Sequence, residues 1–251
     1  MTQHFANYHS HRAAFRRLFD AACDERILLL QGASGTGKTS LIKNCLIDIK
    51  KPDFGLSIQL RNTSVGLDEI LARSAAKFGI ENLPTYKTCN DDVGSQINLS
   101  NVEQIGGSNT INVALHANEV GTVDRRNSRL TEAWFNDMRQ QPHPVVIVFD
   151  TYEHAPSVVQ DWIAGPFLSR VADNKNVRVA IAGQRVPVAG IEWGAYCSLL
   201  QFDGVPEPEE WLPVIQSMGK TVPEPASVFV AGICHALKGH PSEIMKIIEA
   251  L

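Results

Sequence analysis

The sequence carries no surplus of positive charge: 23 Lys and Arg against 27 Asp and Glu give a formal net charge of −4 over 251 residues. That balance supplies no general electrostatic drive toward nucleic acid or an anionic membrane, which a basic excess would provide. The basic pairs Arg16-Arg17 and Arg125-Arg126 are too small a patch to change this, so nucleic acid is not indicated. Long apolar runs are also missing. The longest, such as Val145 to Phe149, have the length of a strand, far below the roughly 20 residues a bilayer-spanning helix needs, and no membrane partner is expected. Met1 to Arg17 carries His and Arg with no apolar stretch behind them and does not resemble a secretory signal, so the expected compartment is the cytoplasm. Cysteine is scarce and scattered: Cys23, Cys45, Cys89, Cys197 and Cys234 form no C-x-x-C pair. This excludes a disulfide framework or a zinc ribbon and points to reduced thiols. His4, His9 and His11 lack a nearby acid or cysteine and read as solvated side chains, so no transition metal is expected.

What is present is an ordinary globular composition, 44% hydrophobic and 20% charged, which excludes fibrous and disordered classes. The length suits one large core with an appendage. Phe15, Leu18, Phe19 and Ala22 recur at helical spacing, and Ile27 to Leu30 form a continuous apolar run suited to a strand covered on both faces. Leu41, Ile42, Cys45 and Leu46 predict a second helix, and Phe54, Leu56, Ile58 and Leu60 alternate as a strand. Helices at Leu67 to Phe78 and Leu130 to Met138, a strand at Val145 to Phe149, a Gly-Pro-broken helix from Val158 to Val171, and strands near Val177 to Ile181 and Ser198 to Phe202 continue the alternation. Alternating strands and helices predict an α/β fold, a doubly wound parallel sheet of about five strands occupying residues 1–206. Beyond Pro206 only helices are expected, at Pro208 to Met218, Ala226 to Leu237 and from Pro241 onward, forming a small helical lid at 207–251. Trp162, Trp193 and Trp211 lie in apolar contexts and read as core anchors.

One stretch follows neither pattern. Within an Asn-rich insertion near 84–124, Ile97 and Leu99, then Ile111, Val113 and Leu115, alternate on either side of Gly106-Gly107-Ser108-Asn109. The reading is an inserted β-hairpin, a mobile loop, or a disordered insertion.

The strongest chemical signal is Gly32-Ala33-Ser34-Gly35-Thr36-Gly37-Lys38-Thr39, followed by Ser40. It fills every required position of the phosphate-loop pattern G-x-x-x-x-G-K-[ST], and it sits between a buried strand and an amphipathic helix as that pattern demands. Glycines let backbone N–H groups approach polyphosphate oxygens, Lys38 adds a point charge, and the Thr39 hydroxyl is placed to coordinate magnesium. Asp150, ending the apolar strand Val145 to Phe149, is the candidate second magnesium ligand. Glu153, three residues on, is placed to polarise a water for in-line attack, or else only charges a helix start. Arg185 ends the strand at Ala182-Gly183-Gln184-Arg185 and can sense a terminal phosphate, or is an unremarkable surface arginine.

The phosphate loop, the strand ending in Asp150 with Glu153 after it, the Ala182-Gly183-Gln184-Arg185 strand end and the late Gly239-His240-Pro241 turn together resemble the STAND-class P-loop ATPases, relatives of the AAA+ group. The resemblance runs from about Arg12 to the C-terminus, excluding the insertion. It implies an additional strand between the loop strand and the acidic strand, ATP/ADP and Mg²⁺ as ligands, and slow hydrolysis that switches a signalling or defence assembly. It implies an adenine contact from Pro241 and places the segment around His11 and Arg12 near the base. The chain ends ten residues after Pro241, so the effector and sensor modules of a full member are expected to lie on other segments or partner proteins. Self-association through the ATPase domain is a further implied contact.

Three functions follow from these residues: an ATPase switch, a nucleotide-binding scaffold that does not hydrolyse, or a P-loop small-molecule kinase. The kinase would want an arginine-rich lid, and Trp211 to Ile248 contains no arginine. GTP is disfavoured because Asn174-Lys175-Asn176-Val177, the nearest string to an Asn-Lys-x-Asp base reader, lacks the acid.

Overall fold

The computed structural model describes residues 8–48, 55–61, 66–100 and 111–251. Five strands form one sheet: β1 (Ile27–Gly32), β2 (Gly55–Gln59), β3 (Val145–Asp150), β4 (Val177–Gly183) and β5 (Cys197–Phe202). Their order is β2-β3-β4-β1-β5, and every pairing is parallel. The α/β expectation therefore holds, and β4 is the strand inserted between the loop strand β1 and the acidic strand β3. Both β3 and β4 are buried along their whole length, as expected of central parallel strands covered on both faces. All five strands end at one sheet edge, where the loops that follow β1, β3 and β4 converge.

Helices α1 (His9–Arg17), α2 (Lys38–Asp48), α3 (Leu67–Phe78), α4 (Pro84–Ser100), α5 (Ile111–Met138), α6 (Ser157–Trp162) and α7 (Leu168–Asp173) surround the sheet. Alternate residues of each strand divide the core in two. Ile27, Leu29, Ile147, Phe149, Val179 and Ile181 face α3, α5, α6 and α7, packing with Trp134 and Phe167. Leu28, Leu30, Val146, Val148, Ala180 and Ala182 face α1 and α2, and the same cluster takes in Trp211, Val230, Cys234, Ile244 and Ile248 from the C-terminal helices α8 (Pro208–Ser217), α9 (Ala226–Ala236) and α10 (Pro241–Ala250). Gly165 and Pro166 do not break the helix that contains them. A π-turn at Ile163–Phe167 joins α6 to α7, absorbing the missing proline N–H in a wider turn.

The β-hairpin expected in the Asn-rich stretch is not formed. Ile97 and Leu99 belong to α4, and Ile111, Val113 and Leu115 belong to α5; the Gly106–Asn109 turn lies outside the described residues. Alternation over three to five residues is too short to outweigh helices already nucleated on either side, by Pro84 at the first position of α4 and by the packed Leu130 to Met138 end of α5. The helix expected at Leu130 to Met138 is the end of the much longer α5. Among the described residues, no helix is long and apolar enough to cross a membrane, and no cluster of three His, Cys, Asp or Glu could hold a metal.

Candidate functional site

The segment Gly32 to Gly37 turns from β1 into α2 at the sheet edge, and its Ser34, Gly35 and Gly37 line a cavity of about 950 Å³. Two of its glycines adopt left-handed conformations, Gly35 at φ 80° and Gly37 at φ 95°, which any side chain would resist. The amides of Ser34, Gly35, Thr36 and Gly37 donate to no acceptor among the described residues. Lys38 folds back over the loop, its Nζ donating to the carbonyls of Gly32 and Ala33 at 2.7 Å each and reaching Thr36 Oγ1 at 3.3 Å. Burial lowers the Lys38 pKa below the ordinary lysine value, while the nearby carboxylates of Glu153 and Asp150 oppose that shift.

At the C-terminal end of β3, Asp150 is buried and accepts a hydrogen bond from Thr39 Oγ1 on α2 at 2.7 Å. Its other oxygen accepts the Thr151 amide at 2.9 Å. Thr151 itself is left-handed, φ 58°, with its hydroxyl on the Asp150 carbonyl at 2.6 Å. A β-branched residue in that region is strained, and Thr151 lines the same cavity as the loop. Hydroxyl and carboxylate are hard oxygen donors of the kind Mg²⁺ prefers, and Mg²⁺ usually takes only one or two protein oxygens beside phosphate and water. The donor set therefore fits a magnesium ion.

Glu153 follows on a 3₁₀ turn. Its carboxylate is 10% exposed, with Oε2 accepting the Gln184 amide at 3.0 Å and Oε1 lying 3.8 Å from His154 Nε2. The approach is allowed by Gly183, where a Cβ would lie 2.5 Å from Glu153 Oε2 and would also strike the Arg185 carbonyl. Arg185 is exposed and is not among the residues lining the cavity. Among the described residues, the cation that lines it besides Lys38 is Arg61, two residues beyond the Gln59 that pairs with Asp150. Sequence reasoning passed over Arg61 because β2 was read only for its apolar alternation.

Pro241 and Ser40 line the cavity with Lys38, Thr39, Asp150 and Glu153, so these predicted residues come together. Tyr8, Trp211, Met218 and Met245 form part of its wall and were not foreseen as site residues. Tyr8 packs on His11 and Phe202, with ring centroids 5.0 and 4.6 Å away. Burial pushes the Tyr8 phenol pKa up, and Asp203 and Glu207 add to this, so it stays a hydrogen-bond donor at neutral pH.

A parallel sheet with an inserted strand, a complete phosphate loop and an acid ending the neighbouring strand define a P-loop nucleoside-triphosphatase fold. The chain belongs to the AAA ATPase domain family, whose profile matches residues 10–179. Comparison with curated protein sequences finds no significant match. Among solved structures, Cdc6p from Pyrobaculum aerophilum is similar, with 10% identity, a TM-score of 0.51, and coverage of 86% of this chain and 50% of that one. The Drosophila ORC bound to AT-rich DNA and Cdc6 gives 12% identity, TM-score 0.44, and 78% and 53% coverage. Caenorhabditis elegans PCH-2 gives 13% identity, TM-score 0.35, and 86% and 48% coverage. The chain thus spans about half the length of each of these structures, and the likeness to Cdc6p shows the shared fold.

Proposed function

We propose that this chain is a magnesium-dependent ATP-binding and slowly hydrolysing switch domain of the STAND type, with residues 207–251 acting as its lid. The observation that carries this reading is the 2.7 Å contact between Thr39 Oγ1 and Asp150 Oδ2 beside a loop whose amides from Ser34 to Gly37 have no acceptor among the described residues. Those amides and the Lys38 ammonium offer donors to β- and γ-phosphate oxygens. A bound Mg²⁺, held by Thr39 and Asp150, would neutralise phosphate charge that builds toward the transition state. Glu153 Oε1, not used by the Gln184 amide, accepts the proton of the attacking water. The water oxygen bonds to the γ-phosphorus while the bond from that phosphorus to the β–γ bridging oxygen breaks. Arg185 can stabilise charge only if a partner or a loop movement brings it to the phosphate. That fits slow turnover in the isolated domain, with self-association and separate effector and sensor modules completing the assembly.

A second reading, a nucleotide-binding scaffold without hydrolysis, is favoured by the hold of the Gln184 amide on Glu153. One set of measurements separates the two. ATP, ADP and GTP are compared in competition binding with magnesium, and phosphate release is followed for the wild type, Lys38→Ala and Glu153→Gln. The switch reading expects preference for adenine nucleotides, binding lost in Lys38→Ala, and binding retained with turnover lost in Glu153→Gln. Turnover unchanged in Glu153→Gln would remove that residue from the chemistry, and absence of turnover in the wild type would leave the scaffold.

A further inference from the structure

Every carbonyl of the phosphate loop is held by a donor. Lys38 Nζ takes those of Gly32 and Ala33, and the Leu41 amide takes that of Gly37 at 2.8 Å as the first bond of α2. The three carbonyls between are held from outside the loop and its helix. His240 Nε2 lies 3.0 Å from the Ser34 carbonyl, the Ser242 amide donates to the Gly35 carbonyl at 3.1 Å, and the Tyr8 hydroxyl donates to the Thr36 carbonyl at 2.8 Å. In a planar trans peptide the C=O and the following N–H point in opposite directions. Pinning these carbonyls outward therefore turns the amides of Gly35, Thr36 and Gly37 the other way, and these belong to the group that has no acceptor among the described residues.

The contact between the C-terminal turn and the loop is built into both partners. At Gly35, a position the phosphate-loop pattern leaves open, a Cβ would lie 2.5 Å from Ser242 Oγ and 2.6 Å from His240 Cε1. Ser242 Oγ is 3.3 Å from His240 Nδ1, so a hydroxyl proton given to Nδ1 leaves the hydrogen on Nε2 for Ser34. The turn is anchored in its place by the Val205 amide, which donates to the Gly239 carbonyl at 2.7 Å.

We propose that His240 and Tyr8 are positioning residues that preorganise the phosphate loop for anions, so that phosphate affinity depends on α10 being seated against it. This rests on the reading that the loop takes nucleotide phosphates. It goes further in making an interaction between the C-terminal helices and the loop, not the loop alone, the determinant of that affinity.

The test uses the full chain and three competitors against a fluorescent ATP analogue: inorganic tripolyphosphate, ATP and adenosine. Losing one neutral hydrogen bond that orients the amides is expected to weaken tripolyphosphate and ATP by the same factor, about fivefold to tenfold, in His240→Ala. Adenosine is expected to bind as it does to the wild type. His240→Gln, whose amide nitrogen can replace Nε2, restores affinity, and Tyr8→Phe shifts tripolyphosphate in the same direction as His240→Ala. Equal losses for adenosine and tripolyphosphate would mark a general disturbance of the C-terminal helices and overturn the proposal. So would wild-type affinities in both His240→Ala and Tyr8→Phe while Lys38→Ala fails to bind. Lys38→Ala binding tripolyphosphate like the wild type would instead sink the nucleotide reading on which the proposal rests.

Discussion

Lys38 shows how one side chain is set by its surroundings. Its ammonium is half-buried against the loop, and the energetic penalty for that falls on the charged form, so its pKa is lowered despite two carboxylates nearby. The sign of the consequence follows. On the proposed reading triphosphate binding needs the cation, and a lowered pKa means that the cation is lost at a lower pH than for an ordinary lysine, near 10.4. ATP affinity is expected to fall as pH rises through the alkaline range, and to fall earlier than ordinary lysine titration would allow. Lys38→Arg, charged throughout, is expected to flatten that fall whatever its affinity at pH 7. Binding calorimetry from pH 7 to 10 checks this, and parallel slopes for the two proteins would refute it. The residues proposed for this chemistry are readable in the sequence because the motif prescribes their types and spacing. Arg61, Thr151 and Tyr8 were not, because nothing in their neighbours along the chain says that they face the cavity.

Elements meet where a missing side chain lets them. The end of β4 passes against Glu153 because Gly183 has no Cβ, and the Gln184 amide then holds the carboxylate. Gly183→Ala would drive its methyl into the Arg185 carbonyl, a backbone group that cannot swing aside, as well as into Glu153. The expected cost is about 1–3 kcal/mol of stability, as for other overpacked sites. On the proposed hydrolysing reading, turnover is expected to drop with ATP affinity within about twofold, because the lost bond would orient Glu153 and its loss leaves the loop intact. Denaturant melts and steady-state kinetics on the same preparation test both halves, and an unchanged kcat would refute the role given to this contact. The misread hairpin belongs to this scale too. Alternation at Ile97-Leu99 and Ile111-Val113-Leu115 is local, whereas the helices α4 and α5 extend from segments that pack on the core at Tyr86 and Leu130.

The molecule as a whole shares one core between the sheet and its C-terminal helices. Trp211 is 1% exposed in the same cluster as Leu28, Leu41 and Val148, and its indole N–H donates to the Val205 carbonyl at 2.8 Å. Trp211→Ala is expected to destabilise by about 3–5 kcal/mol, the usual range for emptying an aromatic core site. The urea transition is expected to stay single, because the helices after Pro206 do not own a separate core. Two resolved transitions, with the sheet unaffected, would show that they fold alone. In the wild type, ATP with magnesium is expected to raise the melting temperature with nucleotide concentration, through binding to the native state alone, and Lys38→Ala is expected to abolish that rise.

By itself, the amino-acid order determines the strand runs, the helices between them, the loop with its lysine, and the acid at the end of β3. Each is a local pattern of polarity or residue type, and a parallel α/β sheet is the arrangement in which such a pattern buries its apolar runs. Only the tertiary structure decides which distant groups close on that loop. Tyr8 reaches across 28 positions, Thr39 and Asp150 meet across 111, and His240 returns across 206. The glycines that admit these contacts look alike in sequence, because a Cβ is excluded by whatever approaches in space, and nothing next to a glycine in the chain records what that will be.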